Sequence, residues 1–313
     1  MKNIVFVILL FAFGSALLSS CGEDKQETPA PTPTPTGPKL VFKFKFDSTQ
    51  ARLDGFGQPS TIPFNHSAQS PRFNKMSSHY IELAQTVLTA LGSGFVVYKS
   101  AETTAGGNNA IDFSKSLFAG NNETFYSIPI ANVTPGTYEY LRVSLAYQNY
   151  DINLRYTDTT SGMNFDLTGT VASFIGFNTY ITTHKIKDST VAVNDDKKQG
   201  YWGFELHPFG FPIPNYVSTG QAPEGATTVP NPNFATSPIP AGSCVVTGAF
   251  TNGTTASPLV ITGNETSDVI VTVSLSTNKS FEWVEYGNPA FYEPAAGDTV
   301  VDMGIRGLIP IKN

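Results

Sequence analysis

The chain has 313 residues, of which 40% are hydrophobic and only 14% are charged. Such a composition can bury a sizeable core and leaves a surface that is polar but poor in charge, as in many secreted β proteins. The 25 acidic and 19 basic residues give a formal net charge of −6 at pH 7. This balance argues against nucleic-acid binding and against electrostatic docking on anionic lipid, because both need concentrated lysine and arginine.

The first twenty residues have the pattern of a secretory signal. Lys2 supplies a positive charge, and the ten residues 4–13 carry no polar side chain. As a helix this run would rise roughly 15 Å, which is half of the roughly 30 Å that a spanning helix must cross. Because small residues follow the run, we expect residues 1–20 to be a cleaved signal peptide rather than a membrane-spanning helix.

Leu17-Leu18-Ser19-Ser20-Cys21 resembles the lipobox of bacterial lipoproteins, where the peptide is cut before a cysteine that carries lipid. The resemblance implies a diacylglycerol on the Cys21 sulfur and an acyl chain on its new amino group. Each buried methylene contributes about 0.8 kcal/mol, and two or more chains make such an anchor stable. The acidic Gly22-Glu23-Asp24 that follows resembles the export signal of Bacteroidota-type surface lipoproteins. The expected location is the outer membrane, at the cell surface, with a periplasm-facing position as the alternative.

Residues 21–38 have no core-forming pattern and are expected to form a linker. Proline alternates with small residues from Thr28 to Thr36, which favours an extended polyproline geometry. At about 3.1 Å per residue, this linker could hold a domain roughly 50 Å from its lipid. The folded domain is therefore expected over residues 39–313.

Short alternating segments predict an all-β domain. In the clearest of them, Leu40, Phe42, Phe44 and Phe46 point one way and Lys43 and Lys45 point the other, which is the period of a strand with one buried face. The other predicted strands cover residues 95–98, 126–130, 138–147, 151–156, 164–172, 177–186, 191–193, 200–206, 244–250, 258–262, 268–275, 279–286 and 299–311. This spacing favours an antiparallel β-sandwich of the immunoglobulin-like or jelly-roll-like kind. A single domain is expected, with a split near residue 200 or within residues 207–242 as the alternative.

Four segments carry a weaker pattern. Residues 51–75 are rich in turn formers and are expected to form a long excursion, while residues 80–91 suit either a helix or, by preference, the first arm of a hairpin. Residues 194–198 are expected to form a charged turn. The proline-rich residues 207–242 have too few aliphatic side chains for elements of their own and are expected to form a loop.

No catalytic signature is found in the sequence. It contains no His-Glu-x-x-His helix, no Gly-x-Ser-x-Gly elbow and no phosphate-binding glycine loop. With Cys21 lipidated, Cys244 has no disulfide partner, and its apolar setting predicts a small buried hydrophobic residue. We therefore expect a binding or structural module rather than an enzyme.

Two segments resemble the methanobactin-associated copper-protein family of periplasmic β proteins. They are Pro135-Gly136-Thr137-Tyr138, at the start of a strand, and the glycine-aromatic strand Gly200-Tyr201-Trp202-Gly203-Phe204-Glu205. The resemblance implies a copper-binding protein with histidine and methionine ligands. His184 and His207 are the histidines near the matching strand, so they are the expected metal ligands in this alternative.

A third alternative is a glycan-binding accessory of a nutrient-uptake system. Tyr201, Trp202 and Phe204 lie close to further aromatic residues at positions 209, 211 and 216, and flat rings beside polar groups suit stacking on sugars. Packing of the same rings in the core, as a hydrophobic seal beneath the proline-rich loop, is the preferred interpretation of this group. The expected partners are the membrane, through the lipid, and a glycan or another outer-membrane protein.

Four tripeptides resemble the acceptor of Bacteroidota-type O-glycosylation, in which Ser or Thr follows Asp and precedes a small or apolar residue. The resemblance implies O-linked glycans at one or two of these positions. The four candidate acceptors are Ser48, Thr159, Ser189 and Thr299.

Overall fold

The computed structural model describes residues 37–53, 59–208, 215–222 and 243–313. Helix in these ranges is limited to three single 3-10 turns, at Phe113–Lys115, Ile130–Asn132 and Pro294–Ala296. The strands are, in chain order, β1 (Lys39–Asp47), β2 (His66–Gln69), β3 (Arg72–Ala84), β4 (Phe95–Lys99), β5 (Glu102–Thr103), β6 (Ala110–Asp112), β7 (Thr124–Pro129), β8 (Gly136–Tyr138), β9 (Tyr140–Thr157), β10 (Asn164–Phe174), β11 (Thr179–Lys185), β12 (Thr190–Lys197), β13 (Tyr201–Leu206), β14 (Tyr216–Gln221), β15 (Cys244–Ala249), β16 (Leu259–Ile261), β17 (Val269–Ser276), β18 (Phe281–Val284), β19 (Thr299–Asp302) and β20 (Leu308–Lys312).

Two sheets enclose the main core. The smaller sheet has the strand order β20-β17-β1-β7, and the larger has the order β14-β13-β10-β9-β3-β4, with β15 also paired to β9. Leu40 and Val273 of the smaller sheet share one buried cluster with Ile81, Val143 and Val246 of the larger. The all-β sandwich expected from the sequence is therefore confirmed. Most strand pairs are antiparallel, but β1 and β17 run parallel, as do β6 and β11.

The alternation predicted for the first strand is confirmed. Leu40, Phe42 and Phe44 are fully buried, and Phe46 packs against the same core. The corresponding face of β17, with Val271, Val273 and Leu275, is also fully buried. The opposite side of these strands carries Lys43, Lys45 and Thr272, which are half-buried, so polar and apolar residues alternate with a period of two.

The hairpin expected after residue 80 is confirmed, since β3 and β4 pair across a turn. However, β3 begins at Arg72 and β2 precedes it, so the excursion expected over residues 51–75 is wrong for its second half. Strand β2 forms by pairing with β18, more than two hundred residues later, and such a partner leaves no local signal.

Four further expectations are corrected. The strands expected at 138–147 and 151–156 are one continuous strand, β9, and the segment 299–311 contains two strands, β19 and β20. The charged turn expected at 194–198 is wrong, because residues up to Lys197 belong to β12 and pair with β11. The loop expected over residues 207–242 contains β14, which pairs with β13 along its length; residues 209–214 and 223–242 lie outside the described ranges.

A small third sheet, of order β12-β11-β6-β5, packs across the outer face of the larger sheet. A second buried cluster joins Ile181 of β11 and Ile186, just after that strand, to Tyr147, Phe174 and Tyr201 of the larger sheet. The hairpin β11–β12 is therefore fixed above β9, β10 and β13. This arrangement positions the candidate site.

Cys244 packs against the main core, and burial raises the pKa of its thiol to about 12, with Asp302 nearby acting in the same direction. Such a thiol is unreactive. None of the helical turns in the described ranges has the length or apolar character needed to traverse a bilayer. The expected signal peptide, Cys21 and the linker up to residue 36 lie outside the described residues.

Candidate functional site

Strand β13 carries the candidate ligand-binding residues, and its pleat sends them to opposite sides of the larger sheet. Trp202, Phe204 and Leu206 lie on the side that faces the sandwich core, whereas Tyr201, Gly203 and Glu205 lie on the outer side. The structure thus places Trp202 and Phe204 on one side of β13 and Tyr201 on the other. The two sides of β13 are described in turn.

On the core-facing side, two glycines lie where the aromatic rings cross neighbouring strands. A Cβ atom on Gly220 of β14 would lie 2.5 Å from Trp202 Cζ2, and a Cβ atom on Gly169 of β10 would lie 2.4 Å from Phe204 Cε2. Glycine therefore lets each ring lie close against the backbone of the adjacent strand.

Strand β14 adds two residues to this side. Tyr216 pairs with Leu206 and leaves 53% of its surface exposed, and Ser218 pairs with Phe204. The Phe204 and Tyr216 ring centroids are 6.2 Å apart, and Trp202 and Phe204 are half-buried. We call Trp202, Phe204, Tyr216 and Ser218 the aromatic face. It lies at the edge of the larger sheet, where three rings and a hydroxyl are grouped.

On the outer side, Tyr201 and His184 belong to the buried cluster under the β11–β12 hairpin. Their rings are 5.6 Å apart, and Phe174 lies 5.1 Å from His184. His184 is fully buried, and neither ring nitrogen has a hydrogen-bond partner among the described residues. Burial lowers the pKa of His184 to about 4, so its ring is neutral at physiological pH.

Glu205 lies under the turn of the same hairpin. Its carboxylate accepts hydrogen bonds from the backbone N–H groups of Lys187, Asp188 and Ser189, at 3.2, 3.0 and 2.8 Å. Burial alone would raise the pKa of Glu205, but these backbone donors and nearby His207 outweigh it and lower the pKa. A carboxylate that is held by several amides stays ionised and fixed in direction.

His207 and Asp188 complete a group around Glu205 that we call the carboxylate–histidine cluster. His207 Nε2 lies 3.3 Å from Glu205 Oε1, and His207 Nδ1 lies 3.7 Å from Asp188 Oδ2. One ligand atom from each of the three residues falls within 4.8 Å of the others. Glu205 is buried, whereas Asp188 and His207 reach the surface, so the cluster is open to solvent on one side.

His184 is not a member of this cluster, although it lies close to Gly203 on the same side of β13. The two histidines expected as copper ligands therefore occupy different surroundings, one an apolar interior and the other a carboxylate-rich surface. The other two histidines have internal partners: His66 lies 2.6 Å from Glu282, and His79 lies 2.9 Å from Glu102.

Three of the four candidate O-glycosylation acceptors, Ser48, Thr159 and Thr299, are exposed, and Ser189 is half-buried beside Glu205. The preceding Asp47 accepts hydrogen bonds from Thr49 and Gln50, so it closes a tight turn at Ser48. Glycosylation at these positions stays a prediction.

The cluster combines three residues that belong to separate features of the sequence. The sequence indicates His207 as a candidate metal ligand, whereas Asp188 stands out only within a glycosylation tripeptide and Glu205 only within the segment that resembles the copper proteins. The three side chains lie close together because the β11–β12 hairpin packs over β13, and no spacing in the sequence indicates this packing. Comparison of the chain with protein-family models, curated proteins and solved structures finds no match.

Proposed function

We propose that the protein is a lipid-anchored module of the outer membrane that binds glycans at the cell surface through its aromatic face. The observation that carries the proposal is the grouping of Trp202, Phe204 and Tyr216 on one side of the β13–β14 edge, with Ser218 beside them. The lipobox at Cys21 and the extended linker support the location.

Aromatic rings suit this role because they offer a large apolar surface at low conformational cost, while polar groups at the edge supply hydrogen bonds. A ring that lies close to a sheet presents its other side as a flat platform. Gly220 permits that geometry for Trp202, whereas the Phe204 ring, which lies close to Gly169, also packs against the hydrophobic core. Sugars have both an apolar ring face and equatorial hydroxyls, so they fit such a surface.

A binding role is also supported by buried carboxylates that accept hydrogen bonds from within the protein and so make the scaffold rigid. Glu82 accepts hydrogen bonds from Gly92 and Gly94, and Asp151 accepts them from Thr170 and Asn74. In each case the carboxylate fixes a loop or joins strands. A rigid scaffold with internally bonded acids is the kind of framework that presents a surface to a ligand.

Glycan-array binding of the purified chain tests the proposal. Tyr216→Ala removes an exposed ring with little effect on the fold, and Trp202→Ala removes the ring beside Gly220. Both changes should weaken retention on the glycans that the unchanged chain binds. Tyr286→Ala is the matched control, because Tyr286 is also an exposed tyrosine, with 69% of its surface accessible, and is not part of the aromatic face. Equal retention by all three variants, or no glycan binding by the unchanged chain, would contradict the glycan role.

The anchor is tested separately. Cys21→Ser should move the protein from the membrane fraction to the soluble fraction, because its attachment depends on acyl chains carried by that residue. Mass spectrometry of the unchanged protein should find those chains on Cys21. An unmodified thiol there would contradict the proposed location and leave the glycan result unaffected.

A further inference from the structure

The carboxylate–histidine cluster lies on the opposite side of β13 from the aromatic face. It combines one imidazole, one buried carboxylate and one exposed carboxylate within 4.8 Å. It is also held in place by the hairpin turn, since the three backbone donors on Glu205 come from consecutive residues 187–189. Its geometry therefore rests on the backbone rather than on mobile side chains alone.

We propose that Asp188, Glu205 and His207 form a binding site for a divalent transition-metal ion of the zinc class. Zinc in proteins is bound by imidazole nitrogen and carboxylate oxygen at about 2.0–2.2 Å, so two ligand atoms around a tetrahedral ion lie roughly 3.4 Å apart. The His207 Nε2 to Glu205 Oε1 distance of 3.3 Å matches this separation.

The surroundings of Glu205 are those of a supported metal ligand. Ligating carboxylates are usually oriented by hydrogen bonds from groups that do not touch the ion. Here three backbone amides do so, and they hold a carboxylate that is 3% exposed. Lys187, in the same turn, directs its ammonium towards Asp151 at 3.5 Å, so that positive charge is also paired with a carboxylate.

The donor set also selects the class of ion. An imidazole with two carboxylates suits zinc and its neighbours, whereas calcium and magnesium take oxygen ligands and copper(I) prefers sulfur. With three protein ligands, a tetrahedral ion keeps a fourth position for water on the exposed side. On binding, the ion replaces the contact between His207 Nε2 and Glu205, and any proton held there passes to solvent.

Titration of the purified chain with Zn²⁺ alone, followed by calorimetry, tests the site. One equivalent should bind, and Zn²⁺ should raise the unfolding temperature because it binds the folded chain. His207→Ala and Asp188→Asn alter surface side chains, so each should fold and should weaken Zn²⁺ binding by about tenfold or more. Glu205→Gln should weaken it further.

Asp195→Asn is the matched control, because Asp195 is an exposed carboxylate on the same hairpin that forms an ion pair with Lys197 and does not belong to the carboxylate–histidine cluster. It should leave Zn²⁺ affinity unchanged. Equal affinity in the unchanged chain, His207→Ala and Asp188→Asn would overturn the site, as would binding of Ca²⁺ or Mg²⁺ in place of Zn²⁺ or no Zn²⁺ binding at all. Glycan retention by the same variants should be unchanged, because the aromatic face lies on the other side of the sheet.

Discussion

The Glu82 carboxylate and the Arg142 guanidinium lie 3.5 Å apart on the outer face of the larger sheet, where both are buried. Glu82 accepts hydrogen bonds from the backbone of Gly92 and Gly94, and Arg142 donates to the carbonyl oxygen of Thr89 at 2.6 Å. The pair therefore holds the β3–β4 turn against the sheet from both sides.

Removing one partner should be costly because the other charge stays buried. Glu82→Ala is expected to lower the free energy of unfolding by about 3–5 kcal/mol. The measurement is urea denaturation, in which the midpoint should fall while the slope is retained. The control is Asp195→Asn, since an exposed ion pair contributes only about 0–1 kcal/mol. A midpoint for Glu82→Ala that matches the control would contradict the role of the pair.

The close approach of the β11–β12 hairpin to β13 depends on Gly203. A Cβ atom there would lie 2.8 Å from Ile186 Cδ1 and 2.9 Å from His184 Cε1, both in the packed interior. Gly203→Ala should therefore lower the free energy of unfolding by about 1–3 kcal/mol, as expected for overpacking. Gly136→Ala is the matched control, since its nearest neighbour would be 3.7 Å away. Chemical denaturation of both variants checks the difference, and equal stability would show that the hairpin can move aside.

His184 should make stability depend on pH. Its pKa is lowered from 6.5 to about 4 by burial, so between these values the unfolded chain binds more protons than the folded chain. The contribution of His184 to the free energy of unfolding is therefore fully present above pH 6.5. It is lost as the pH falls towards 4, and the loss is about 3 kcal/mol at most.

His184→Leu isolates this contribution because leucine has a similar size and no charge. The unchanged chain should lose stability relative to the variant between pH 7 and pH 4, as measured by denaturation at fixed pH values. Glu102, whose pKa is lowered to about 2 mainly by its hydrogen bond to His79, acts below pH 4.5 and is common to both chains. Parallel stability curves for the two chains would refute the assignment.

Local alternation was enough to predict the strands with one face in the main core. In β1 and β17 every second residue is apolar, and pairing in the wrong register would expose the whole set. The same rule failed in β9. Leu145 packs in the main core, Tyr147 in the outer cluster and Tyr150 in the main core again, so the alternation slips and suggests two strands where there is one.

Strands that depend on distant partners could not be predicted. Strand β14 contains Ser218, Thr219 and Gly220, which have no strand pattern of their own, and forms by pairing with the edge of β13. The charged end of β12 looked like a turn, but Lys197 is stabilised there by Asp195 at 2.9 Å and by the Tyr201 ring at 5.3 Å. Both cases are tertiary contacts that override local preference.

The candidate sites also combine features that the local sequence predicts with features that depend on tertiary contacts. The aromatic residues of β13 were visible as a group, but only the pleat shows that Tyr201 faces away from Trp202 and Phe204. The carboxylate–histidine cluster arises where one sheet packs across another. That packing brings Asp188 next to His207, and neither residue type nor spacing in the sequence predicts it.

Strand β1 lies between β17 and β7, so the smaller sheet cannot form until the carboxyl-terminal strand β17 is present. Leu40 lies beside Val269, so a chain synthesised from its amino terminus offers its first strand long before one of its two neighbours exists. Contacts of such separation form slowly. Until β17 has been synthesised, the apolar side chains of Phe42 and Phe44 stay exposed. We therefore expect the nascent chain to bind chaperones that prevent aggregation.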